Sequence, residues 1–246
     1  MHEKNSQFFE MSRYINLDLY HRVEESHPFY RDMIDEISTQ ISRLCSTGKK
    51  YRILELGAGT GLLTKKLIGF PFLDVHALEI DADCCEILRN NINSENLNII
   101  QGDAVVYCRN NYFDIVISSF AHDHIHYEKA NSFARNIEQN LRGGGVYIMG
   151  GEIIPSYSTM EERKEALYKY HCYIINKALL DGNFDVAQIE IQALMSGLEM
   201  KGDFKRHEDM FEDEMASTDL TLVSKKKIGP GDNKSVGGIF VYVYRA

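Results

Sequence analysis

Apolar positions in this chain recur first at helical spacing, then in short runs, then at helical spacing again. The stretches from Ser6 to Glu25 and from Phe29 to Leu44 predict two helices, the second carrying Ile34, Ile37, Ile41 and Leu44 on one face. His27-Pro28 punctuates them. From Tyr51 to Glu152 short β-rich runs alternate with amphipathic stretches, the pattern of βαβ units in a parallel sheet. Strands are expected at about 51–56, 73–79, 97–101, 113–118 and 145–151, and helices at about 62–69, 82–93 and 128–141. From Met160 to Gly202 the pattern predicts two or three helices and no strand. Asp219 to Ile228 and Gly238 to Arg245 then read as strands flanking the turn Gly229-Pro230-Gly231-Asp232-Asn233.

Composition narrows the class. The 246 residues are 44% hydrophobic and 26% charged, enough for one well-buried α/β domain with an appendage. A formal net charge of -9 speaks against a nucleic-acid partner, because phosphate binding relies on clustered Lys and Arg. The basic run Lys225-Lys226-Lys227 falls in an expected strand and reads as a solvated edge. The acidic stretch from Glu208 to Glu214 reads as a solvated helix face. Five cysteines, an odd number without paired spacing, predict reduced thiols and a cytoplasmic protein. The N-terminal residues lack an export signal, and no run of about eighteen apolar residues predicts a membrane span. Nothing in the sequence sets an oligomeric state.

The chemistry begins at Glu55-Leu56-Gly57-Ala58-Gly59-Thr60-Gly61, where a buried strand enters a glycine-rich turn that opens a helix. Glycines are needed where backbone turns left-handed or approaches a ligand without a Cβ between. A dinucleotide fingerprint would read G-x-G-x-x-G and bind a diphosphate. Here the third glycine comes one residue early, and Glu55 repels phosphate but can accept hydrogen bonds from an ammonium group. The expected ligand is nucleotide-like, zwitterionic and phosphate-free. Glu79 ends the second strand about twenty residues later, where a carboxylate can take both hydroxyls of a ribose. Asp103, after the third strand, can accept from an exocyclic amine of adenine.

Taken in order, E-x-G-x-G-x-G, Leu78-Glu79-Ile80-Asp81, Gly102-Asp103-Ala104, the strand Phe113 to Ser118 and Leu141-Arg142-Gly143-Gly144-Gly145 resemble the class I S-adenosylmethionine-dependent methyltransferases over residues 50 to 153. The resemblance implies a Rossmann-like, seven-stranded, mostly parallel sheet flanked by helices and closed by a C-terminal β-hairpin. It also implies S-adenosyl-L-methionine as cofactor, held by Glu55, Gly57, Ala58, Gly59, Gly61, Glu79, Ile80, Asp103, Ala104 and Ser118. The expected organisation is an N-terminal helical cap (1–48), an α/β core that binds the cofactor (49–154), a helical insertion acting as acceptor lid (155–205) and a C-terminal helix and hairpin completing the core (206–246).

The implied reaction moves a methyl group to an oxygen, nitrogen or carbon of a small-molecule acceptor, in keeping with secondary metabolism. Residues 118–121 read S-S-F-A, without the Asn/Asp-Pro-Pro-Tyr/Phe motif of enzymes that methylate adenine or glutamine amide nitrogen. A protein or RNA acceptor, or cofactor binding without turnover, are the alternatives. Many small-molecule members of the family carry a histidine at the position matching His124, which makes it the candidate catalytic base. An imidazole, with an ordinary pKa of roughly 6.5, suits proton removal near neutrality. A packing role for His124 stays open. So does a metal on His122, His124 and His126, whose alternation would align them in an extended segment. Tyr168, Tyr170, Tyr173 and His171 read as packing in the insertion or as pocket lining. Tyr14, Arg22, His27 and Tyr30 belong to the N-terminal helices, where Arg22 either meets the cofactor's carboxylate or lies exposed.

Overall fold

A computed structural model describes residues 11–13, 15–45, 48–231 and 233–246. Residues 6–10 of the first expected helix, Tyr14, residues 46–47 and Asp232 of the expected turn lie outside them. Helix α1 (Leu17–Val23) is shorter than the apolar spacing suggests, because the Asn16 side chain accepts the Leu19 N–H and starts the helix there. Helix α2 (Tyr30–Leu44) presents Met33, Ile34, Ile37 and Ile41 as a buried stripe.

The βαβ alternation follows. It comprises β1 (Tyr51–Leu56), α3 (Leu62–Leu67), β2 (Leu73–Glu79), α4 (Ala82–Asn91), β3 (Leu97–Gln101), β4 (Phe113–Ser119), α5 (Ala130–Asn140) and β5 (Leu141–Ile153). Strand β5 runs further than its apolar core because it pairs with the last strand as far as Ile153, which brings Glu152 into the sheet. Helices α6 (Met160–Leu180) and α7 (Phe184–Glu199) form a hairpin, and α8 (Glu208–Met215) leads to β6 (Thr221–Gly229) and β7 (Gly238–Arg245).

The seven strands order as β3-β2-β1-β4-β5-β7-β6, and only β7 runs antiparallel to its neighbours. Alternation along the strands sorts the core into two layers. Ile53, Val75, Ile115, Ile117 and Ile148 face α2 and α3, whereas Leu54, Leu56, Val116, Tyr147 and Tyr242 face α5 and α8. Gly150 lets α2 lie close on β5, since a Cβ there would stand 2.8 Å from Ile37 Cδ1. Strand β6 is an edge, and its lysines pair outward: Lys225 holds Glu208 and Glu212, and Lys226 holds Glu36.

The insertion sits above the ends of the parallel strands. Leu19 and Val23 of α1 pack with Ala178, Val186 and Ile189, while Ile154 just after β5 packs with Leu167, Tyr170 and Ile174. A reciprocal cap starts α6, with Thr159 and Glu162 each accepting the other's backbone N–H. The fully buried Arg163 ties α6 down through Gly197 O (2.9 Å), Asp203 O and the Tyr127 hydroxyl. The acidic helix α8 is not solvated throughout, because Phe211 and Glu214 face inward. All five cysteines are free thiols, and no described helix is long and apolar enough to cross a membrane.

Candidate active site

The turn after β1 is tied to β2 on both of its sides. The N–H groups of Gly57 and Ala58 donate to Leu78 O at 2.9 and 3.0 Å, and Gly59 N–H donates to Glu79 Oε2 at 2.7 Å. The other oxygen of Glu79 accepts the Asp81 N–H at 2.8 Å, so the carboxylate is fixed at the strand end. Gly57 takes a left-handed φ of 69°, and a Cβ there would stand 2.5 Å from Ala121 Cβ. Gly59 is also left-handed, at 54°, but nothing lies within 4 Å of the place its Cβ would occupy. The space beside Gly59, with Glu79 next to it, leaves room for a nucleoside. Asp103 is set by the Val105 N–H, which donates to Oδ1 at 2.8 Å. Glu55, Gly57, Ala58, Gly59, Glu79, Ile80, Asp103 and Ala104 all line one cavity at the C-terminal ends of β1, β2 and β3, the position at which open α/β sheets take ligands.

Two expected cofactor residues stand elsewhere. A Cβ on Gly61 would meet Leu88 Cδ1 at 2.0 Å, so this glycine serves the packing of the turn on α4. Ser118 points to the opposite layer, its hydroxyl 2.8 Å from that of Tyr147, because it shares strand parity with Val116. Glu55 does line the cavity, accepting from the Thr64 hydroxyl at 2.6 Å. Burial pushes its carboxyl up to about 8, and that hydrogen bond offsets only part of the rise. Burial likewise raises Glu79, against the pull of its backbone donors, and lifts Glu24 at the cavity wall to about 7.

The loop after β4 carries His124 into the same cavity. Its Nδ1–H donates to Gly202 O, which leaves Nε2 as the basic nitrogen of the neutral ring. The three loop histidines do not share a ligand position. Residues 122–124 turn as a 3-10 helix instead of extending, so their side chains diverge. His122 is buried between Phe133 and Phe211 with Nε2 2.8 Å from Glu214, and His126 packs on Phe204. Arg22 lies exposed beside Asp185. Tyr168 is exposed, and Tyr173 packs within the insertion.

Beyond His124 the cavity ends in a buried charge cluster that sequence reading did not assemble. Lys205 Nζ meets Asp123 and Asp203 at 2.9 Å each and also pairs with Glu152. Burial opposes the ammonium charge, but Asp123, Asp203 and Glu152 outweigh it and hold Lys205 well above its ordinary pKa. Burial would raise Asp123, but the Lys205 ammonium beside it outweighs that and holds it down to about 2. Next to this, His27 Nε2 stands 3.0 Å from Glu190 Oε1 and 3.7 Å from Glu152 Oε1. His171 Nδ1 meets the second oxygen of Glu190 at 2.9 Å. Glu190 is held below the usual carboxylate range because His27 and His171 outweigh its burial. The signal that could have found it is an acid on the buried stripe of α7, level with Val186 and Leu194. Glu152 is a strand-terminal acid like Glu79.

Residues 53–145 match the model of a methyltransferase domain. The chain is similar to a ribosomal RNA small subunit methyltransferase A of Nostoc, 34% identical over 100 residues that make up 40% of this chain and 33% of that protein. It therefore spans about a third of the length of the curated relatives it matches first. In structure it resembles an S-adenosylmethionine-dependent methyltransferase of Clostridium acetobutylicum, with a TM-score of 0.63, 12% identity, and coverage of 93% of this chain and 96% of the other. It also resembles the N-methyltransferase NodS of Bradyrhizobium japonicum in complex with S-adenosyl-L-homocysteine, with a TM-score of 0.57, 14% identity, and coverage of 91% and 90%. At these identities the structural likeness speaks for the fold, while the matched domain and the order of motifs speak for the family. Residues 53–145 thus match a methyltransferase domain, set in a fold shared with S-adenosylmethionine-dependent methyltransferases.

Proposed function

We propose that this cavity is the active site of an S-adenosylmethionine-dependent methyltransferase that acts on a small-molecule acceptor. The observation that carries the reading is continuity: the bed formed by Gly59, Glu79 and Asp103 opens directly onto His124 and the charge cluster under α1 and α7. When bound, S-adenosylmethionine supplies a methyl group on a sulfonium centre. Gly57 to Gly59 bed the nucleoside, Glu79 accepts from its ribose hydroxyls, and Asp103 accepts from its exocyclic amine. Glu55 faces the cationic end of the ligand, where an ammonium favours its ionised form. His124 Nε2 takes the proton from a hydroxyl or amine acceptor, while Nδ1, bonded to Gly202 O, keeps the ring oriented. Val23 and Ile189, from α1 and α7, roof the cavity and exclude water.

A small acceptor is favoured because the roof is made of packed helices and the cavity lining is acidic on its far side, a poor match for phosphate. The likeness to a ribosomal RNA methyltransferase supports an RNA acceptor as the second reading. Against it stand the formal charge of -9 and the sequence S-S-F-A at 118–121. The free thiols agree with a reducing, cytoplasmic setting.

Isothermal titration tests the cofactor. S-adenosylmethionine and its demethylated product should bind with micromolar affinity, and Gly59→Val should abolish binding by filling the bed and forcing a branched residue to positive φ. Binding of NAD in place of S-adenosylmethionine would overturn the assignment.

A further inference from the structure

The cluster at the far end of the cavity brings an imidazole and two carboxylates from three separate elements to one point. His27 comes from the link between α1 and α2, Glu152 from the end of β5 and Glu190 from the middle of α7. Glu190 Oε1 and Glu152 Oε1 stand 3.0 and 3.7 Å from His27 Nε2, respectively, and the ligand atoms of the three side chains lie within 4.8 Å of one another. Neighbouring ligands at roughly 2.1 Å from a first-row ion stand about 3.0 to 3.4 Å apart in octahedral or tetrahedral geometry. His27 and Glu190 already stand at that spacing, and Glu152 lies a few tenths of an ångström beyond it.

The surroundings have the arrangement that metal ligands require. His27 Nδ1–H donates to Pro28 O at 2.9 Å, which fixes the tautomer and turns Nε2 toward the two carboxylates. Each carboxylate has its outer oxygen held by a second group, Glu190 Oε2 by His171 and Glu152 Oε2 by Lys205, so the inner oxygens point at the same place. Tyr170 adds a hydrogen bond to Glu152 Oε1 at 2.6 Å. Oriented imidazole and outer-oxygen donors of this kind hold ligands in place for an ion, whereas a solvated acidic patch would leave them loose. His27, Glu152 and Glu190 all line the cavity, so a ligand entering it can complete the coordination sphere.

We infer that His27, Glu152 and Glu190 form a binding site for a divalent transition-metal ion at the acceptor end of the cavity. One imidazole nitrogen with two carboxylate oxygens suits Mn²⁺, Fe²⁺ or Zn²⁺ and disfavours a soft ion that prefers sulfur. The consequence for the acceptor rests on the methyltransferase reading: an ion there anchors an acceptor bearing a hydroxyl, enolate or carboxylate oxygen. It would do so on the side of the cavity away from the glycine turn. His122 and His126 take no part, since His122 belongs to Glu214 and His126 to the aromatic packing.

The test is direct binding of Mn²⁺ to the full chain, followed by electron paramagnetic resonance. The expected result is one saturable equivalent, with a single coordinated imidazole nitrogen in the pulsed spectrum. His27→Gln should remove that nitrogen coupling. Glu190→Gln should weaken binding at least tenfold, and His171→Ala, which only orients Glu190, by roughly tenfold to a hundredfold. Titration of the same variants with S-adenosylmethionine reports their folding, because Gly59 and Glu79 lie at the other end of the cavity. The inference is overturned if wild type shows no saturable Mn²⁺ or Zn²⁺ binding, if the bound ion shows no imidazole nitrogen or more than one, or if His27→Gln leaves the spectrum unchanged. Failure of wild type to bind S-adenosylmethionine would instead strike at the methyltransferase reading and leave the metal result standing.

Discussion

The backbone N–H of Gly59 donates to Glu79 Oε2 at 2.7 Å, so the glycine turn and the acid that ends β2 form one unit before any ligand arrives. Removing the acid then has two effects. Glu79→Ala should weaken S-adenosylmethionine binding by about 1.5 to 3 kcal/mol, the scale of hydrogen bonds to a charged group. It should also loosen the turn, because the Gly59 and Asp81 N–H groups both lose their acceptor. Titration calorimetry reads the first effect and amide exchange at Gly59 the second; an unchanged dissociation constant would place the ribose contact elsewhere.

Glu55 gives the protein a pH signature. Its carboxyl is pushed from the ordinary value of 4.5 to about 8 by burial, so between those values the folded chain holds a proton that the unfolded chain has lost. The stability tied to that proton is full below about 4.5 and is lost as pH rises toward 8. Glu55→Gln should therefore flatten the decline of urea stability between about pH 5 and pH 9, relative to wild type. A cationic ligand favours the ionised form, so cofactor binding near neutrality should release protons in wild type and not in the variant.

Arg206 and Glu214 make the strongest structural prediction. Both are buried, joined at 3.0 Å, and Arg206 also donates to the carbonyls of His122 and Phe204. Glu214→Ala leaves a guanidinium uncompensated in the core and should cost about 3 to 5 kcal/mol in urea unfolding. A loss below about 1 kcal/mol would mean that the pair behaves as a solvated one.

His124→Ala separates chemistry from binding. If Nε2 is the base, turnover should fall by about 10² to 10⁴ while affinity for S-adenosylmethionine stays within about twofold. Retained turnover would reduce His124 to a packing residue against Gly202.

Much of the sheet was legible because its strands announce themselves in two ways, an apolar run and a punctuating turn. The expected spans 51–56, 73–79 and 97–101 coincide with β1, β2 and β3. The expected site residues that stand away from the cavity do so for local reasons. Ser118 sits one residue out of phase with the cavity face, which strand parity with Val116 would have shown. Gly61 is demanded by Leu88, a contact between elements that no turn motif contains. The loop histidines looked alignable only under an extended backbone that the 3-10 turn does not supply. His27, Glu152 and Glu190 were out of reach because their convergence depends on how α1 and α7 dock above β5. Spacing along one element carries no record of that docking.

The central claim is methyl transfer to a small acceptor, and one measurement addresses it most directly. The protein is incubated with methyl-labelled S-adenosylmethionine and size-fractionated cell extract, and the label is followed by size class. The account predicts label in small metabolites, lost in Gly59→Val. Label confined to RNA or protein, or no transfer from a chain that binds the cofactor, would contradict it.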